Sequence, residues 1–78
     1  MNLYLLRPIP EDNLWEDAYD MSFGFVVRAQ TEDEARKMAA EKCGDEGRAA
    51  WIGRNHSTCV VLPSYGPTEI IIRDFNAG

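Results

Sequence analysis

An alternating segment that runs straight into a helix cap constrains this chain more than any other feature. Over 23–30, Phe23, Phe25, Val27 and Ala29 fall on one side of an extended chain, and Gly24, Val26, Arg28 and Gln30 on the other. A period of two is the mark of a half-buried strand. Thr31-Glu32-Asp33-Glu34 follows at once and forms a capping box. The threonine hydroxyl can accept from the Glu34 amide while the Glu34 carboxylate returns to the Thr31 amide. A helix therefore starts where the strand ends. Its apolar positions Ala35, Met38, Ala39 and Cys43 are spaced i, i+3, i+4, i+8, one narrow stripe to lay on a sheet, with Gly44 as the expected stop.

The other elements arrange themselves around this junction. Asn2 to Arg7 reads as a first strand, closed by Pro8 and Pro10, which cannot donate to a central ladder. Residues 11–21 show neither period and read as a long connection. Between Asp45 and Ser57 the preferred reading is a short helical turn around Arg48-Ala49-Ala50-Trp51-Ile52, with Trp51 in the core. Thr58 to Leu62 is a β-branched third strand, Pro63 to Pro67 a turn, and Thr68 to Arg73 an isoleucine-rich fourth strand. The expected fold is α+β, in the order β-β-α-β-β. It is a sheet of about four strands, antiparallel or mixed, with one main helix on one face, and a single α/β domain over residues 1–78.

Seventy-eight residues allow one modest core and leave little stability to spare for a deep polar cavity. Two cysteines, Cys43 and Cys59, are too few for a secreted disulfide framework. The apolar run Leu3–Leu6 is too short for a signal peptide or a membrane span, so a reducing cytoplasm is the expected location. One histidine and scattered carboxylates match no metal-ligand spacing, and no cofactor is implied. Gly44-x-x-Gly47 lacks the strand and lysine of a phosphate cradle. His56 and Cys59 could be drawn as base and nucleophile. The simpler reading is a loop histidine and a thiol packed in the sheet, and no enzymatic activity is expected.

Charge is unevenly spread. The net charge is -5, yet residues 11–34 hold Glu11, Asp12, Glu16, Asp17, Asp20, Glu32, Asp33 and Glu34 against Arg28 alone, a local balance of -7. Direct nucleic-acid binding is disfavoured. If the two acidic segments converge in space, they make a surface that attracts a basic groove. Glu32, Asp33 and Glu34 also complement the helix dipole whatever the function. Trp15 and Tyr19 sit inside the acidic stretch. Exposed, they would be interface anchors; buried, they would pin the connection to the sheet, which is the favoured reading in so small a core.

Met1-Asn2-Leu3-Tyr4-Leu5-Leu6-Arg7-Pro8, the stretch Phe25 to Arg36 and the terminal Asp74-Phe75-Asn76-Ala77-Gly78 together resemble a family of small phage and prophage proteins that includes acidic anti-CRISPR proteins. The resemblance implies an inhibitor of a type I CRISPR surveillance complex, with type I-C the candidate subtype, that blocks target DNA in the manner of a DNA mimic. The implied partner is that effector complex or another basic DNA-binding protein. The expected contacts are Glu11, Asp12, Trp15, Glu16, Asp17, Tyr19, Asp20, Glu32 and Asp33, on a monomer or weak homodimer. The alternative is a self-associating phage structural or accessory protein that pairs through its sheet edge.

Overall fold

The computed structural model describes residues 1–15 and 20–73. Three strands, β1 (Asn2–Pro8), β2 (Phe25–Ala29) and β3 (Ser57–Leu62), form an antiparallel sheet in the order β2-β1-β3. Two helices, α1 (Glu32–Glu41) and α2 (Arg48–Ile52), lie between β2 and β3 in sequence. A single 3-10 turn, Asn13–Trp15, interrupts the first connection. The α+β class, the capped helix and the helical turn around Trp51 match the sequence reading.

Register decides which side chains enter the core. Tyr4 lies opposite Val27 and Val61, and Leu6 opposite Phe25 and Cys59. This puts Tyr4, Leu6, Phe25, Val27, Ala29 and Cys59 on the helix side. Leu3, Leu5, Arg7, Val26, Arg28, Thr58, Val60 and Leu62 share the other face. The buried core is Tyr4, Leu6, Val27, Ala29, Ala35, Ala39, Ala40, Ala50 and Trp51, so one large ring is surrounded mostly by alanine. The indole of Trp51 meets Trp15 at 5.0 Å and Phe25 at 4.9 Å between ring centroids, both edge to face, the favoured aromatic geometry.

Four expectations are corrected. The fourth strand is absent: from Pro63 to Arg73 the described chain forms no strand, and Ile70, Ile71 and Ile72 are 79%, 53% and 42% exposed. Strand propensity measures fit to a half-buried pleated surface, and among the described residues this segment pairs with no strand. The second strand starts at Phe25 rather than Phe23. Its ladder ends where Leu6 meets Phe25, and Arg7 and Pro8 pair with β3 alone, which leaves Phe23 exposed.

The helix stripe is also rotated. Met38 is half exposed, while Arg36 and Ala40 are buried with Ala35 and Ala39, because α1 packs on α2 as well as on the sheet. Finally, Gly44 is not the helix stop. Lys42 caps α1, its amide donating to the Ala39 carbonyl at 3.0 Å and the Cys43 amide to the Ala40 carbonyl at 3.3 Å. Gly44 serves instead as a place of close approach, where any Cβ would collide with the Asp20 backbone.

The cap itself differs in one detail. Thr31 Oγ1 accepts from the Glu34 amide at 3.1 Å, but the Glu34 carboxylate accepts from the Gln30 amide at 3.0 Å, one residue earlier than the standard box.

Candidate functional site

The turn between α2 and β3, residues 53–57, gathers most of the polar chemistry. Its backbone is held from below by Arg36, which is 4% exposed. Arg36 Nη1 donates to the Trp51 carbonyl at 2.9 Å, to Ser57 Oγ at 2.9 Å and to the Gly53 carbonyl at 3.4 Å, while Nη2 donates to the Ser57 carbonyl at 3.1 Å. Its Nε donates to Glu32 at 2.8 Å. A planar, permanently charged fork suits several fixed acceptors at once.

Both acidic segments reach this turn from opposite sides. From α1, Glu32 Oε2 accepts from Arg54 at 2.7 Å, and Asp33 lies 3.5 Å from the same guanidinium. From the first connection, Asp12 pairs with His56 Nδ1, and the His56 carbonyl accepts from the Ile9 amide at 3.0 Å and from Trp15 Nε1 at 2.7 Å. Asp12 and Glu32 therefore converge, as a bipartite acidic surface requires, but each faces a cation or an imidazole. The hydrogen bond from His56 holds the Asp12 carboxyl below its ordinary value. The hydrogen bond from Arg36, with Arg54 adding to it, does the same for Glu32.

Of the other expected contacts, Glu11 and Asp20 are exposed, and Asp33 is 77% exposed at its side chain. Asp20 is tied through its backbone: its amide donates to Asp45 Oδ2 at 3.1 Å and its carbonyl accepts from the Asp45 amide at 2.6 Å. Trp15 is half-buried, packed edge to face against Trp51 and hydrogen-bonded, so it pins the connection rather than standing out as an anchor. Glu16, Asp17 and Tyr19 lie outside the described residues.

Sequence reasoning missed two residues entirely. Arg36 reads as a solvent-facing position one place off the stripe; its spacing of four from Glu32 was the available clue. Glu46 reads as loop, yet it is 7% exposed. Its Oε1 accepts from the Ser22 amide at 3.1 Å and the Gly44 amide at 3.0 Å, and its Oε2 accepts from Trp51 Nε1 at 2.7 Å. Burial pushes its pKa up, but the Trp51 indole and surrounding amides outweigh it and leave the carboxyl below its usual range. A buried indole needs an acceptor, which was the clue here.

The arrangement offers little to a covalent mechanism. His56 is engaged by Asp12 rather than by Cys59, and burial, reinforced by the Glu32 charge, raises the Cys59 thiol above its ordinary value. A nucleophilic thiol needs the opposite shift. Among the described residues no group of three or more His, Cys, Asp or Glu side chains is placed to hold a metal ion, and no helix is long and apolar enough to cross a membrane. Compared with protein-family models, curated proteins and solved structures, the chain finds no match in any of the three.

Asp12, Glu32 and Glu46 set the expected response to acid. Each folded-state pKa lies below its unfolded value, so the stability they contribute is complete above the ordinary carboxylate range. It is lost as pH falls through the depressed folded values. Thermal unfolding followed between about pH 6 and pH 2 should show Tm falling across the acid limb. Asp12→Asn should lower Tm at neutral pH and flatten that limb.

Proposed function

We propose that this chain is a non-enzymatic inhibitor that binds a basic, DNA-engaging assembly in a bacterial cytoplasm, a type I CRISPR effector complex being the candidate client, and keeps target DNA from it. The observation that carries this reading is the local balance of -7 over residues 11–34, with Glu11, Asp20 and Asp33 displayed in solvent. Phosphate-binding lysines and arginines that meet such a surface exchange one polyanion for another. Asp12 and Glu32 act as supports: held by His56 and by Arg36 with Arg54, they fix the 53–57 turn and are not themselves the contacts. The resemblance to small phage proteins supports the choice of client.

The test is a gel-shift assay in which purified type I-C effector binds target DNA with and without this protein. Inhibition is expected. It should fall at least tenfold in potency for the triple variant Glu11→Gln, Asp20→Asn, Asp33→Asn, whose carboxylates lie at exposed positions. Undiminished inhibition by that variant removes the electrostatic account, and no inhibition by the parent protein removes the client.

A further inference from the structure

Among the described residues, no helix covers the face of the sheet opposite α1 and α2. Val26 and Val60 are each 51% exposed on it, and Phe23, at its end, is 72% exposed. A groove of about 420 Å³ runs beside β2, lined by Leu5, Arg7, Phe23, Phe25, Val26 and Ile72. Ile72 belongs to the segment that carries a strand signal and forms no strand. This segment thus reaches the β2 side of the sheet, while the outer backbone edge of β2 pairs with no other described strand.

We propose that residues 68–73 add as a fourth strand to the β2 edge of a second copy of this chain, giving a two-fold dimer in which each copy lends its segment to the other. Three observations favour a second copy as the occupant. An open edge and a spare β-branched strand occur in the same chain, which is the combination an isologous pair uses. Phe23, Val26, Ile70, Ile71 and Ile72 expose on the order of 600 Å² of apolar side chain, most of the ~800 Å² per partner of a standard stable interface. The charges are self-complementary as well: Arg7 and Arg28 on the face opposite α1 and α2 and Glu69 beside the isoleucines have no ion-pair partner among the described residues. The isoleucine segment includes none of the acids proposed above as contacts, so different variants test the two readings.

Sedimentation equilibrium of the full chain tests this. A dimer of twice the chain mass is expected. Ile70→Asp with Ile72→Asp should raise its dissociation constant by about 100-fold, a change of ~2.7 kcal/mol, while thermal unfolding of the dilute monomer stays cooperative because both side chains are exposed there. Glu69→Arg should weaken the dimer, and Glu69→Arg combined with Arg28→Glu should restore it. A monomer at all concentrations overturns the proposal. So does a dimer indifferent to the isoleucine pair, or one in which the charge reversal fails to rescue, since either result points to another surface or another occupant.

Discussion

Arg36→Ala should remove a large share of the protein's stability at room temperature. The guanidinium satisfies the Trp51, Gly53 and Ser57 carbonyls, the Ser57 hydroxyl and the Glu32 carboxylate together. Its removal strands several of these acceptors in a buried site and takes away the charge that stabilises Glu32. Breaking a buried charged network in this way costs about 3–5 kcal/mol, and a chain of this length has roughly 4–12 kcal/mol in total. Arg36→Lys should recover only part of the loss, because a single ammonium has three donors and no fork. Urea denaturation monitored by circular dichroism reads both. A variant within 1 kcal/mol of the parent would mean that water replaces the guanidinium and that the turn is held elsewhere.

Trp51→Ala should be comparably severe. The ring is fully buried, touches Trp15 and Phe25, and is the only large aromatic among the nine core residues apart from Tyr4. Truncating a buried tryptophan costs about 3–5 kcal/mol, and the loss depends on how far the surroundings collapse. Alanines cannot move inward to fill the space. Trp51→Phe separates packing from hydrogen bonding, because it keeps a ring while depriving Glu46 Oε2 of its donor. A further loss of about 1–3 kcal/mol is expected from the stranded carboxylate. In a double-mutant cycle with Glu46→Ala, which leaves no side-chain acceptor, additive losses would show that the 2.7 Å contact contributes nothing of its own.

What the sequence made legible was local. The alternation before residue 30, the Thr31 cap and the helical turn at Trp51 are each encoded within a few residues, where steric and hydrogen-bonding preferences act directly. The polar scaffold was hidden because its partners are far apart along the chain. Asp12 and His56 are separated by 44 positions and Arg36 and Ser57 by 21, and no spacing rule links them. The fourth strand was over-read for the converse reason: Ile70-Ile71-Ile72 carries the local signal, but among the described residues no strand pairs with it. In the acidic segments the sequence showed where charge lies, but not that Arg54, Arg36 and His56 would meet part of it.

The alanines along α1 have a consequence for how this molecule can change. Ala35, Ala39 and Ala40 have essentially no exposed surface, so the helix sits against its neighbours with no side-chain bulk to adjust, and one added methyl group forces backbone to move. The far face of the sheet carries no such restriction. The molecule therefore has a half in which nearly every substitution is felt and a half in which whole side chains can be exchanged, so a lineage can alter what it associates with while its interior stays still.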